Sequence, residues 1–129
     1  MAFVFANPNP KHNLVGDCTI RALSIATGKS WEQVFAELSL YGFMFCDMPS
    51  SNAVWGQYLR DLGYERYIVQ DSCPACTVRD FAARNPHGKY ILGTGSHVVC
   101  VKDGGNYYDT WDSGDEKPIF VWEAENYGG

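Results

Sequence analysis

The sequence predicts an α+β fold in which N-terminal helices pack on a C-terminal antiparallel β-sheet. Three observations carry that expectation. Residues 18–62 hold three stretches with apolar side chains at helical spacing, punctuated by Gly28, Gly42 and Gly63. From Lys89 onward the chain turns to short runs of β-branched and aromatic residues. Two of those runs are joined by Asp103-Gly104-Gly105-Asn106, a strong hairpin signal. Helices followed by strands, rather than alternating with them, is the α+β order.

Taken in order, residues 1–16 open with a short apolar run and continue through Asn7-Pro8-Asn9-Pro10, which favours extended or turn backbone. They read as an irregular arm lying over the domain surface. Asp17 is placed to cap a helix whose first residue is Cys18, with Ile20, Leu23, Ala26 and Thr27 recurring at helical spacing and Gly28 as the stop. Ser30-Trp31-Glu32-Gln33 is a capping box for a second helix through Val34, Phe35 and Leu38, which Gly42 is expected to end. Ser51 or Asn52 caps a third, carrying Val54, Trp55, Tyr58, Leu59 and Leu62. Tyr67-Ile68-Val69 reads as a short strand, and Thr77-Val78-Arg79-Asp80 opens a short helix that ends before Pro86. Strands are expected at 89–92, 97–102, 107–111 and 118–122.

The 129 residues suit a single domain, 1–129, large enough to bury a core without disulfide staples. Apolar content of 46% and aromatic content of 15% are those of a globular protein rather than a disordered one. A net charge of −5 with Lys and Arg scattered singly leaves nothing to neutralise phosphates, so no nucleic-acid partner is expected. No apolar run approaches the ~20 residues of a membrane span, and the start lacks the charged opening of a secretory signal. The expectation is a cytoplasmic protein with no membrane partner. Five cysteines, an odd count, leave at least one unpaired thiol within a monomer and suit a reducing compartment.

The chemistry centres on Gly16-Asp17-Cys18. A helix N-terminus carries roughly half a positive charge, and its first N–H groups have no intrahelical partners. A cysteine there has its thiolate stabilised, and the Cys18 backbone N–H and its neighbours are positioned to hold an oxyanion. His97 opens the run His97-Val98-Val99-Cys100-Val101 after the flexible Gly93-Thr94-Gly95-Ser96, which suits a side chain facing a cleft. His12 and His87 lie in the arm and in an Asn-Pro-His-Gly turn. If Gly104 and Gly105 are the two turn residues of the hairpin, His97 falls opposite Asp112 on one face and Asp109 opposite Cys100 on the reverse face. A carboxylate beside an imidazole fixes its tautomer and supports the imidazolium. Asp112 is therefore the expected orienter, with Asp109 the alternative. Arg21, one turn into the helix, suits either a structural ion pair or a substrate carboxylate. Trp111 is placed to wall the cleft beside Asp112.

A cysteine at a helix start, then a histidine opening a strand, then Asp or Asn on the next strand resembles the order in papain-like cysteine peptidases, nearest to compact forms such as bacteriocin-processing peptidase domains. Arylamine acetyltransferases and transglutaminases share that core order. Gly-Asp-Cys-x-x-Arg-Ala-Leu-Ser, Met48-Pro49-Ser50, Val54-Trp55-Gly56, His97-Val98-Val99 and Tyr108-Asp109-Thr110-Trp111-Asp112-Ser113 look like a group of short bacterial and phage proteins, over nearly the whole chain. The resemblance implies a papain-like fold, Cys18 as nucleophile, His97 as base and Asp112 as orienter. Papain-like enzymes place a Gln about six residues before the cysteine to complete the oxyanion hole. Here His12 stands at that position and Asn13 beside it, which makes Asn13 the expected donor, with Asn7 and Asn9 as alternatives if the arm folds back.

The expected activity is that of a cysteine-dependent hydrolase, a peptidase or amidase working through an acyl-enzyme on a peptide or protein substrate without a cofactor. The same residues would serve an acyltransferase, a transglutaminase-like enzyme or a deamidase, and a non-catalytic binding protein on the same fold is a further alternative. Cys73-Pro74-Ala75-Cys76 is compatible with half of a zinc site, with a redox pair, or with an incidental loop pair. No second C-x-x-C or H-x-H pair completes a zinc set, so no metal is expected.

Overall fold

The computed structural model describes residues 3–69 and 76–124. Among them the chain runs β1 (Phe3–Phe5), α1 (Cys18–Thr27), α2 (Trp31–Phe45), α3 (Asn52–Asp61), β2 (Tyr64–Ile68), α4 (Val78–Arg84), β3 (Tyr90–Gly93), β4 (Val98–Lys102), β5 (Asn106–Asp109) and β6 (Phe120–Ala124). The class is α+β. The six strands form one sheet in the order β1-β5-β4-β3-β6-β2, antiparallel throughout except that β1 runs parallel to β5.

Both faces of the sheet are covered. Ala22, Leu23 and Ala26 of α1, Val34 and Leu38 of α2, and Trp55, Tyr58 and Leu59 of α3 pack on one face against Ile91, Val98, Cys100, Phe120 and Trp122. Val78, Phe81 and Ala82 of α4 pack on the other against Leu92, Val99, Val101, Tyr107 and Val121. That is why Val98-Val99-Cys100-Val101 is an unbroken apolar run: alternate residues enter two different cores, and all four are buried.

The helix positions follow the sequence signals, although the side chains of Asp17 and Ser51 make no cap hydrogen bond at α1 and α3. Gly28 closes α1 in the left-handed conformation, its N–H donating to the Ser24 carbonyl. Ser30 caps α2 by accepting from the Gln33 N–H, and Thr77 and Asp80 form a full capping box at α4. α2, however, runs past Gly42 to Phe45, with Cys46 as its left-handed cap. Gly42 marks a close approach instead: a Cβ there would sit 2.7 Å from the Asp47 carbonyl oxygen of the loop that folds back over the helix.

Two expectations about the sheet are corrected. Part of the arm is a strand, since Phe3, Val4 and Phe5 pair with Tyr107, Tyr108 and Asp109, and the Ala6 N–H donates to the Asp109 carbonyl at 2.9 Å. The β4–β5 hairpin has a three-residue turn, not a two-residue one. Asp103, Gly104 and Gly105 all have positive φ, and the ladder pairs Lys102 with Asn106, Val101 with Tyr107 and Cys100 with Tyr108. Asp103 is held in that unusual conformation by its carboxylate, which accepts from the Tyr108 hydroxyl at 2.7 Å. The one-residue shift moves Asp112 off His97 and makes Asp109 a diagonal neighbour of that histidine.

At the end of β3, Gly93 admits the ring of Phe120 from β6, and a Cβ at this position would lie 2.3 Å from the Phe120 Cζ. Gly93→Ala is therefore expected to cost about 1–3 kcal/mol of stability through overpacking, read from the urea unfolding midpoint at unchanged slope.

Candidate active site

Cys18 occupies the first turn of α1, and the capping expectation for Asp17 resolves in an informative way. Asp17 stands at the N-cap, yet its side chain makes no cap hydrogen bond. Its carboxylate instead accepts from the Arg21 guanidinium one turn on and from the Trp31 indole N–H at 2.8 Å. The first N–H groups of α1 are thus left without a side-chain cap around Cys18.

Arg21 is buried, with 7% of its side chain exposed, and it reaches in the other direction as well. Its Nη2 donates to Asp109 Oδ1 at 3.0 Å. Asp109 is also buried, and it accepts three further hydrogen bonds: from the Thr110 N–H at 2.8 Å, the Ser113 hydroxyl at 2.7 Å, and His97 Nε2 at 2.5 Å. With Nε2 committed to Asp109, Nδ1 is the ring nitrogen left for the Cys18 thiol, which lines the same cavity as the imidazole. A continuous chain of contacts therefore runs Trp31–Asp17–Arg21–Asp109–His97–Cys18. No buried side-chain nitrogen or oxygen among the described residues lacks a partner.

The electrostatics follow from those contacts. Burial pushes the Cys18 thiol up, but the His97 hydrogen bond and charge, the Val98 N–H and the charge of Arg21 together bring it below its ordinary value. Burial pushes His97 down, but the hydrogen bonds to Asp109 and Cys18 and the charges of both raise it to about 9. Burial also acts to raise Asp109, and is outweighed by the His97 and Ser113 hydrogen bonds, the imidazolium charge and the Thr110 N–H, so this carboxyl stays below the usual range. Both shifts favour the thiolate–imidazolium form of the pair. Cys100 is the contrast: fully buried in the sheet, its thiol is pushed up to about 12 by burial.

The other residues singled out in the sequence fall as follows. Asp112 is not against His97; it accepts from the Tyr107 hydroxyl at 2.7 Å and the Gly114 N–H at 3.0 Å, with Arg79 at 3.6 Å, and its side chain is half exposed. Asn13 is exposed, and its main-chain carbonyl accepts from the Asn7 amide, away from the cleft. Arg21 is enclosed between two carboxylates behind the site, so it does not meet a substrate. Trp111 lies beside His97, ring centroids 4.8 Å apart, and is 46% exposed. Cys76 is buried and disulfide-bonded, while Cys73 lies outside the described residues. No cluster of three metal-ligating side chains occurs among the described residues. No helix among them is long and apolar enough to cross a membrane.

A cavity of about 180 Å³ opens over Cys18 and His97, walled by Ser50, Asn52, Trp55 and Phe120, with Gly93, Gly95 and Ser96 beneath. Asn52, which the sequence marks only as a helix cap, is the addition here. Its Oδ1 accepts from the Trp55 indole N–H at 3.1 Å, which fixes the amide so that Nδ2 is the end left for another partner. Its signal was present but faint: an Asn at the first turn of a helix, three residues before a buried Trp. Compared with family models, with curated proteins and with solved structures, the chain matches none.

Two outcomes are expected from this geometry. Arg21→Met leaves Asp17 and Asp109 buried without their cation, and should cost about 3–5 kcal/mol in urea unfolding. The pH dependence separates the two titrating groups. The share of stability from His97 is complete below its ordinary value near 6.5 and is lost as pH rises through about 9. The share from Cys18 is complete above its ordinary value of about 8.5 and is lost as pH falls through its lowered value. The two slopes oppose each other over the pH range in which the two windows overlap. The stability difference between wild type and the Cys18→Ala/His97→Ala double variant should be level there and fall on both sides.

Proposed function

We propose that this protein is a cysteine-dependent hydrolase of peptide or amide bonds, built on a papain-like arrangement with Cys18 as nucleophile, His97 as general acid and base, and Asp109 as orienter. One observation carries the reading. A thiol at an uncapped helix N-terminus lines the same cavity as an imidazole whose Nε2 is held by a buried carboxylate.

In the first half-reaction the Cys18 thiolate attacks the carbonyl carbon, and the oxygen takes the negative charge. The N–H groups at the start of α1 and the Asn52 Nδ2 are the donors available to hold that charge, which gives Asn52 the role a glutamine upstream of the cysteine plays in papain-like enzymes. As the tetrahedral species collapses the C–N bond breaks, and His97 Nδ1 gives its proton to the departing amine. A water then loses a proton to Nδ1 and adds to the thioester carbon. The C–S bond breaks, the carboxylic acid leaves, and the thiolate–imidazolium pair is restored. An amine in place of that water would give acyl transfer through the same intermediate.

The test uses alkylation at pH 6.5, where an ordinary thiol is only about 1% ionised. Iodoacetamide should label Cys18 more than about tenfold faster than the exposed Cys46. His97→Ala should remove that advantage, Asp109→Asn should reduce it, and Asp112→Asn should leave it intact. Equal labelling of Cys18 and Cys46, unaffected by His97→Ala, overturns the proposal.

A further inference from the structure

A second cavity of about 230 Å³ adjoins the first, lined by Asn52, Ala53, Arg60, Arg66, Phe120 and Trp122. Asn52 and Phe120 belong to both. Arg60, in the last turn of α3, lies over the Trp122 ring with its Cζ 5.0 Å from the centroid. Arg66, on the edge strand β2, lies over the Phe120 ring at 4.9 Å. Stacking holds each guanidinium flat and leaves its N–H edge open.

What sets the pair apart is that two cations with no acid partner among the described residues line one cavity. The chain has fifteen Asp and Glu residues against ten Lys and Arg. Arg21, Lys29, Arg79 and Lys102 all sit in ion pairs. Neither Arg60 nor Arg66 forms one with any described residue. Asp61, the nearest acid in sequence to Arg60, is turned to the Tyr41 hydroxyl at 2.5 Å and the Gln57 amide at 2.9 Å. Two like charges converging on one cavity repel each other unless an anion lies between them, and a carboxylate, the anion that a peptide carries, matches the planar fork bidentately.

We propose that Arg60 and Arg66 form a carboxylate subsite continuous with the catalytic cleft, and that the preferred substrate is a peptide with a carboxylate close to the scissile bond. The carboxylate comes from an acidic side chain or from a chain terminus. This rests on the hydrolase reading for its substrate, whereas the anion site itself does not. A peptide lying across Cys18 passes between Asn52 and Phe120 to reach the arginines, so the acyl carbon and the charged group are read by adjoining cavities.

The experiment uses short peptide vinyl sulfones in matched pairs. Glu is exchanged for Gln at one position at a time, and one further pair ends in a free carboxylate or a carboxamide. One pair should label Cys18 about tenfold faster in its charged form, the equivalent of one charge-assisted hydrogen bond. Which pair does so distinguishes side chain from terminus. Arg60→Gln/Arg66→Gln should bring that ratio near one, and the corresponding Lys variants should retain part of it. Ratios within twofold for every pair, with iodoacetamide still selecting Cys18, overturn the subsite and leave the hydrolase standing. If iodoacetamide does not select Cys18, the hydrolase falls. The subsite is then judged by NMR titration of the same peptides, without the sulfone, into the Cys18→Ala protein. There, tighter binding of the Glu form supports it and equal binding overturns it.

Discussion

The buried guanidinium of Arg21 joins the two halves of the site. It lies on the helix that begins with Cys18, and it bridges the residue that precedes that helix to the carboxylate at the end of β5. A cation in a dry setting is tolerated only when its donors are met, and here two carboxylates meet them. The consequence is geometric. α1 cannot slide along the sheet without separating Arg21 from Asp109, so the helix that supplies the thiol and the strand that supplies the carboxylate keep one register. Trp31 extends the same chain into α2 through Asp17.

Asp109 is where this structural network becomes chemical. One of its oxygens accepts from Arg21 and the Thr110 N–H, the other from Ser113 and His97. Four donors on one carboxylate hold it ionised and fix its plane, and the plane in turn fixes the imidazole. β1 adds a mechanical element: by pairing in parallel along β5 as far as Asp109, it keeps the end of that strand in the sheet, beyond the last ladder pair with β4. The site is therefore assembled from both ends of the described chain, with its charge held by residues outside the cleft.

Much of this was legible in the sequence, and the failures have physical causes. Cys18 and His97 were readable because each carries a local signal, a cap and a glycine-rich approach, and local signals survive folding. The choice between Asp109 and Asp112 turned on the length of one turn. Asp-Gly-Gly-Asn fits two or three turn residues equally well, and only the Tyr108 hydroxyl, reaching across to Asp103, favours the longer one. β1 was missed because three residues in parallel pairing have no adjoining turn to announce them. Asn52 and the two arginines were missed for another reason: exposed polar residues on α3 and β2 have no periodicity that marks them, and their importance depends on which walls the fold brings together. The glycine at position 42 was misread as a stop because the sequence does not distinguish a helix end from a place where a loop must come close.

Phe120 lines both the Cys18–His97 cavity and the arginine cavity, and its ring fits only because position 93 lacks a side chain. A wall common to two chambers cannot be reshaped for one of them alone. On the proposed hydrolase reading, any residue that replaces Phe120 alters both cavities together, so lineages diverging from this chain would change substrate choice more freely through Arg60 and Arg66 than through the wall the two chambers share.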